Sequence, residues 1–138
     1  MLLYKLVERR NPQAPEMPAK FYAKLIWTGN VTTTDLAKRI SATCTVTYHD
    51  CVAVLSALRE QIIYALLDGK SVSLDKLGTL SVSLKGEGSQ TEKDYKISML
   101  KQVKINFLPC SGIKHEMELK NADIVFNKMT TQENAVEP

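Results

Sequence analysis

The sequence predicts an α+β fold, in which a pair of helices is followed by an antiparallel β-sheet. The first observation is a helical segment at about 48–68, where apolar residues recur at steps of three and four. The second is a change of period after this segment, because apolar and polar residues alternate over 72–74, 79–84 and 103–107. The third is Gly69, which directly follows the last periodic residues and is a natural end for the helix.

The composition is that of one modest domain with a hydrophobic core. The chain has 138 residues, of which 44% are hydrophobic and 24% charged, and its formal net charge is +3. No apolar run approaches the length that spans a bilayer. Lys5 and Glu8 interrupt the first apolar residues too early for a secretory signal. We therefore expect a cytoplasmic protein without a membrane partner.

Two strands are predicted at the start of the chain, at 3–8 and 21–27. Side chains alternate through the second of them, 21–27, with both faces partly apolar, and this pattern favours core positions for Trp27 and the tyrosines over a base-stacking role. Three prolines between 12 and 18 exclude a helix from the connection. We expect these strands to extend the main sheet or to cover its edge. Residues 1–30 carry five basic and two acidic side chains, so positive charge is concentrated there.

Both predicted helices begin with a capping pattern. Thr32 to Asp35 places hydroxyls and an acid at the start of the first helix, and Thr47 with Asp50 resembles a capping box at the start of the second. The apolar stripe of the second helix is broader than one short helix can cover, so it requires additional partner surface. A last short helix is predicted with Ser111 as its cap.

Three blocks of sequence resemble a known family. Ala65-Leu66-Leu67-Asp68-Gly69-Lys70-Ser71-Val72-Ser73-Leu74 and Leu77-Gly78-Thr79-Leu80-Ser81-Val82 resemble the signature A-L-x-x-G-x-x-V-x-L-x-x-F-G-T-F-x-V of the HU and integration host factor family. Asn106-Phe107-Leu108-Pro109, followed by Gly112 and Lys114, resembles the family's closing motif. The resemblance covers about 33–119 and implies an HU-like fold, with an intertwined homodimer and a protruding β-arm.

The same resemblance implies an architectural protein of the bacterial nucleoid that binds double-stranded DNA with little sequence specificity. It divides the chain into an N-terminal strand extension (1–30), an HU-like DNA-binding domain (31–126) and a disordered tail (127–138). The residues expected to contact DNA are Lys85, Lys93, Lys96, Lys101, Lys104 and Lys114. The residues expected in the dimer interface are Val52, Leu55, Leu58, Ile62, Leu66 and Phe107.

The arm departs from the family pattern at its tip. Relatives carry Arg-Asn-Pro there, and the proline kinks the duplex, whereas 88–93 contains neither arginine nor proline. Glu87, Glu92 and Asp94 also place negative charge near the tip. The resemblance therefore implies the fold more strongly than it implies DNA bending. An alternative is an HU-fold module for protein interaction or oligomerisation, with weak or no DNA binding, in which the arm tip and the N-terminal extension contact a protein.

No pattern of catalytic or metal-binding residues is present in the sequence. The three cysteines, Cys44, Cys51 and Cys110, form no C-x-x-C pair, and the two histidines are far apart. No nucleophile elbow or ordered triad is found. We expect a protein that is not an enzyme, with no metal site, no cofactor and no small-molecule substrate.

Overall fold

The computed structural model describes residues 1–120 and 124–129, which form two compact units. One unit spans Thr32–Glu118. The other combines Met1–Val31 with the described residues from Leu119 onward. The first unit interrupts the second in sequence.

The unit at Thr32–Glu118 begins with a helical pair. Its elements are α1 (Thr33–Thr43), α2 (Tyr48–Leu67), β3 (Val72–Leu74), β4 (Gly78–Gly86), β5 (Leu100–Pro109) and α3 (Ser111–Glu116). Helices α1 and α2 pack against each other. These bounds confirm the predicted order of helices and strands in this part of the chain.

Side-chain caps fix where both long helices begin. The Asp35 carboxylate accepts hydrogen bonds from the backbone N–H and the hydroxyl of Thr32, at 3.0 and 2.8 Å, and the Thr32 hydroxyl accepts one from the N–H of Asp35. These bonds, the backbone one first, lower the pKa of Asp35. Thr47 caps α2 in the same way by accepting from the N–H of Asp50 at 3.2 Å. The two predicted caps are confirmed.

Strands β3, β4 and β5 form an antiparallel sheet in that order. The β4–β5 pairing runs from Gly78↔Pro109 to Gly86↔Leu100, with a register shift after Lys85. One further backbone bond, from the N–H of Glu87 to the carbonyl of Met99 at 3.0 Å, closes the hairpin. The connection at 87–99 then contains two short 3-10 turns, at Glu92–Asp94 and Ile97–Met99.

Two glycines of this unit adopt backbone conformations that other residues avoid. Gly69 has φ +75° and ends α2, which confirms its predicted role. Gly78 begins β4 with φ +154°, and a β-carbon there would lie 2.3 Å from the carbonyl oxygen of Leu108. The close approach of β4 to β5 therefore requires glycine at this position.

Helix α3 begins one residue earlier than its predicted cap allows. Cys110, rather than Ser111, is the N-cap residue, and it makes no side-chain capping bond. The reason is a contact with a distant part of the chain, because the backbone N–H of Cys110 donates to the carbonyl of Leu77 at 2.9 Å. This bond holds Cys110 in the extended conformation, and Ser111 becomes the first helical residue.

The second unit is a separate three-stranded sheet. Strand β1 (Leu2–Arg9) pairs antiparallel with β2 (Lys20–Leu25) and parallel with β6 (Phe126–Lys128), in the order β2-β1-β6. The two predicted strands are confirmed, but they do not extend the β3–β4–β5 sheet, because β1 pairs with β6 instead. The domain boundaries stay a prediction. Of the predicted tail, residues 127–129 are described, and the first two of them belong to β6. Residues 130–138 lie outside the described residues.

Few side chains are buried by the chain itself. Among the described hydrophobic residues, only Ala37 and Cys51, both on the helical pair, are buried. The prediction of core positions is wrong for Trp27, which is 85% exposed, and for Tyr22, Tyr64 and Tyr95, which are 50%, 63% and 42% exposed. Strand β2 ends at Leu25, so Trp27 lies beyond the sheet that was expected to cover it.

Within 1–120 and 124–129, none of the helices combines the length and apolar character that crossing a membrane requires.

Candidate functional site

The β4–β5 hairpin has one polar face, which we call the hairpin polar face. Residues paired across the two strands lie on the same side of the sheet, and alternate residues along each strand share a face. The register therefore brings together Ser73, Thr79, Ser81, Ser83, Lys85, Gln102, Lys104 and Asn106, with one apolar residue, Leu108, opposite Thr79 at the end of the face. The Asn106 amide donates to the Ser83 hydroxyl at 2.9 Å, which shows that the two strands contact each other on this face.

The charge of the hairpin strands is entirely positive. Strands β3, β4 and β5 contain Lys85, Lys101 and Lys104 and not a single acidic residue. The alternation puts Lys85 and Lys104 on the hairpin polar face, where Lys104 pairs with Ser83. Lys101 lies at the register shift, where it has no paired residue on β4, and its Nζ lies 3.8 Å from Glu87 Oε1. Both partners are largely exposed, so this ion pair holds Lys101 only weakly.

Lys114 lies at the end of the hairpin polar face. It lines a surface cavity of about 470 Å³ together with Ser73 and Thr79, and the acidic Asp75 lines the same cavity. The short helix α3 thus places its lysine beside the polar side chains of β3 and β4.

The remaining two predicted lysines lie outside the strands. Lys93 belongs to the first 3-10 turn, and Lys96 precedes the second. Asp94 is held beside Lys93, because its carboxylate accepts from the Thr91 hydroxyl at 2.7 Å. Both lysines are exposed, but the acidic neighbours of Lys93 offset its charge.

The other face of the hairpin is apolar and exposed. Strand alternation gathers Leu80, Val82, Leu84, Val103, Ile105 and Phe107 on this face. Ile105 is 65% exposed and Phe107 54% exposed. The helical residues that were predicted with Phe107 for the dimer interface, namely Val52, Leu55, Leu58, Ile62 and Leu66, are each half-buried within the single chain.

Sequence reasoning missed a second basic surface, on the sheet of β1, β2 and β6. The register of β1 and β2 places Lys5 directly opposite Lys24, and Arg9 directly opposite Lys20. Tyr22 lies between these pairs, opposite Val7, on the same face. We call the four cations with Tyr22 the N-terminal basic face. The four-residue spacing of the cations along each strand was a signal for it, because residues an even number apart share a face, but their opposition depends on the register.

The structure shows no ion pair for any of these four cations within the described residues. All four are exposed. One end of the face also contains a cavity of about 150 Å³, which is lined by Arg9, Lys20 and Tyr22 from the strands and by Asn11, Met17 and Pro18 from the connection.

The described residues contain no group of three or more His, Cys, Asp or Glu side chains that could hold a metal ion. Cys44, Cys51 and Cys110 are free thiols.

A helical pair followed by a three-stranded antiparallel sheet with a basic polar face defines an α+β protein of the HU type. The profile of the HU-HIG family, described as an HU domain fused to wHTH, Ig, or glycine-rich motif, matches residues 1–123. The chain belongs to this family.

A solved structure supports the same fold. The chain is similar to a protein from Bacteroides vulgatus ATCC 8482 that is provisionally described as a bacterial DNA-binding protein, with a TM-score of 0.66 and 13% identity. The match covers 93% of this chain and 48% of that protein, so this chain spans about half of its length. No curated protein matched the chain.

Proposed function

We propose that this protein is an HU-like architectural protein that binds double-stranded DNA as a homodimer, with little sequence specificity and without catalysing a reaction. The observation that carries the proposal is the hairpin polar face, which combines lysines with hydroxyl and amide groups on strands that lack acidic residues. A DNA partner would place the protein in the bacterial nucleoid. The proposed DNA contacts are Lys85, Lys93, Lys96, Lys101, Lys104 and Lys114.

The side chains of this face are those that contact the DNA backbone in other proteins. Lysine, serine, threonine, asparagine and glutamine account for many hydrogen bonds to phosphate oxygens. Lysines that neutralise phosphates also release condensed counterions, which makes binding favourable at low salt. Lys85, Lys104 and Lys114 are the best placed of the proposed contacts, because they share this face or lie at its end.

The same face is poorly suited to reading base sequence. Specific readout relies on bidentate contacts, most often from arginine, asparagine or glutamine. The three hairpin strands contain no arginine, and the Asn106 amide already donates to Ser83, which leaves Gln102 as the one residue of this kind on the face whose amide has no such bond to another described residue. Contacts to the phosphate backbone therefore dominate in this proposal, and binding should tolerate most sequences.

The homodimer is proposed from the apolar face of the hairpin and the broad stripe of α2. A single chain that buries only Ala37 and Cys51 among its described hydrophobic residues has little core of its own. A second copy would cover the exposed apolar face, which includes Ile105 and Phe107, and complete a core with the half-buried stripe of α2. The provisional description of the Bacteroides vulgatus protein is compatible with the DNA partner.

The test is a titration of a fluorescent duplex of arbitrary sequence with the full chain at several salt concentrations. We expect binding at micromolar dimer or tighter, since non-specific DNA binders reach roughly that range at physiological salt. The double variant Lys85→Gln with Lys104→Gln should reduce the slope of log K against log salt by about 0.9 for each phosphate that is no longer neutralised.

The matched control is Lys38→Gln with Arg39→Gln, which removes the same charge from α1. It should leave the slope close to that of the unaltered protein. Equal effects of the two variants would contradict a role for the hairpin polar face. No shift of the duplex by the unaltered protein would overturn the DNA-binding proposal and favour a protein-interaction module.

A further inference from the structure

We propose that the N-terminal basic face is a second DNA-binding surface, which contacts the phosphate backbone of the duplex outside the hairpin. The inference rests on the proposed function, because it assigns further contacts to the same partner. It concerns residues Lys5, Arg9, Lys20 and Lys24, with Tyr22 between them.

Like charges lie directly opposite one another on this sheet. Cations that face each other on neighbouring strands destabilise a sheet, and two such pairs are present, Lys5↔Lys24 and Arg9↔Lys20. The arrangement is unfavourable for the isolated sheet and becomes favourable when a polyanion lies across it. The acids of this segment do not relieve the repulsion, since Glu8 pairs with Phe21 on the other face and Glu16 lies in the connection.

The sheet is also divided into two unlike faces. Opposite the basic face, Tyr4, Ala23, Leu25 and Phe126 line an apolar cavity of about 530 Å³. Among the described residues, Lys5 and Arg9 share their face with Tyr22 and with Val7 between them, whereas Glu8 and Lys128 lie on the cavity side with the apolar residues. The alternation therefore gathers the four cations on one face and most of the apolar side chains of this sheet on the other.

The dimensions of the basic face match those of a phosphate backbone. Lys5 and Arg9 are four residues apart on one strand, which corresponds to about 14 Å. One strand of B-form DNA carries about four phosphates over that rise along the helix axis. The four cations are therefore spread over a length that several successive phosphates occupy.

The cavity at one end of the face offers donors for an anionic oxygen. Its lining includes Arg9, Lys20 and Tyr22, and its volume is about 150 Å³. Arginine and lysine form charge-assisted hydrogen bonds to phosphate, and the tyrosine hydroxyl can donate another.

The inference is tested by a variant with Lys5, Arg9, Lys20 and Lys24 each changed to Gln. Four phosphate contacts contribute about 3.6 to the slope of log K against log salt. A slope of that size lowers the affinity about 150-fold when the salt concentration rises from 50 to 200 mM. We expect the variant to lose that salt dependence. Its melting temperature should stay the same or rise, because the repulsive pairs are removed.

The control changes Lys38, Arg39, Arg59 and Lys76 to Gln, so both variants shift the formal net charge from +3 to −1. A second measurement detects contact between the sheet and the duplex directly. A photo-crosslinking phenylalanine analogue replaces Tyr22 in one protein and Phe21 in another. Tyr22 is 50% exposed and Phe21 67% exposed, on opposite faces. Crosslinking to the duplex is expected from position 22 and not from position 21.

Each outcome decides the inference. A reduced slope in the sheet variant alone, with crosslinking from position 22, supports it. Equal slopes in the sheet variant and its control, or crosslinking from position 21 alone, overturn it. If the unaltered protein binds DNA and only the variant with Lys85→Gln and Lys104→Gln binds the duplex more weakly, this inference fails while the proposed function stands. No binding by the unaltered protein overturns both.

Discussion

At the scale of single residues, Gly78 is the position where the backbone leaves least freedom. Its φ of +154° lies in a region that is essentially restricted to glycine, and residues forced into such regions cost about 1–3 kcal/mol. The added β-carbon of Gly78→Ala would also meet the Leu108 carbonyl oxygen at 2.3 Å. We therefore predict that Gly78→Ala lowers the free energy of unfolding by more than the conformational cost alone, as measured by urea denaturation.

Gly88 provides the matched control for that measurement. A β-carbon there meets nothing within 4 Å, and its φ is not in the positive range. Gly88→Ala should be neutral or should stabilise the protein by up to about 1 kcal/mol, because it restricts the unfolded chain. A Gly78→Ala protein as stable as Gly88→Ala would contradict the close approach of β4 to β5.

Residue-scale features divide into those that sequence can predict and those that it cannot. Thr32 and Thr47 were predicted as caps because capping depends on contacts within one turn of the chain. The cap of α3 was not, because the position of Cys110 is set by a bond to Leu77, which is distant in sequence. The exposure of Trp27 was missed for a similar reason, since alternation alone does not show where pairing ends.

At the scale of elements, the connection between β4 and β5 can be tested without changing the net charge. Residues 88–98 contain Lys93 and Lys96 but also Glu92 and Asp94, so their charges cancel. Replacing 88–98 by Asn-Gly would join Glu87 and Met99, which already share a backbone hydrogen bond, through a two-residue hairpin turn. We predict that this shortened protein keeps its fold and its oligomeric state but binds duplex DNA more weakly.

Circular dichroism and light scattering check the fold and the assembly, and the duplex titration checks affinity. Weaker binding at unchanged net charge would indicate that the tip itself contacts DNA. Unchanged affinity would show that Lys93 and Lys96 do not contact DNA. The proposed DNA interface would then be limited to the hairpin polar face and Lys114.

The elements also show which signals sequence carries. Helix α2 and the strands at 2–9 and 78–86 follow from local periodicity, which is visible in a single chain. The pairing of β6 with β1 does not, because a three-residue strand has little pattern and its partner is chosen by the whole fold. The opposed cations of the N-terminal basic face could not be predicted either, because a register of β1 and β2 shifted by one residue would place the cations of the two strands on different faces.

At the scale of the whole molecule, the dimer is the feature on which stability depends in our proposal. An acidic residue in an apolar interface loses its hydration without gaining a partner, which costs several kcal/mol. We predict that Ile105→Asp makes the protein monomeric or unfolded at concentrations where the unaltered protein is dimeric. Sedimentation analysis measures this directly, and the melting temperature of the unaltered protein should rise with protein concentration.

Asn106→Asp is the matched control, because it adds the same charge at the next position of β5, on the hairpin polar face. It should leave the dimer intact and weaken DNA binding. Dissociation by both variants, or by neither, would argue against the apolar face of the hairpin as the dimer interface. The breadth of the α2 stripe already predicted an assembly, and the family resemblance added Phe107, but the other residues of its hairpin face follow only from the strand register.

The pairing of Leu2 with Phe126 has a consequence for how the chain is made. During synthesis the β1–β2 hairpin can form early, but its third strand leaves the ribosome only after the entire unit at Thr32–Glu118. Until then the free edge of β1 is open to pairing with other chains. Nascent chains released before β6 should therefore be prone to aggregate, and chaperones that mask strand edges should act on this hairpin in particular.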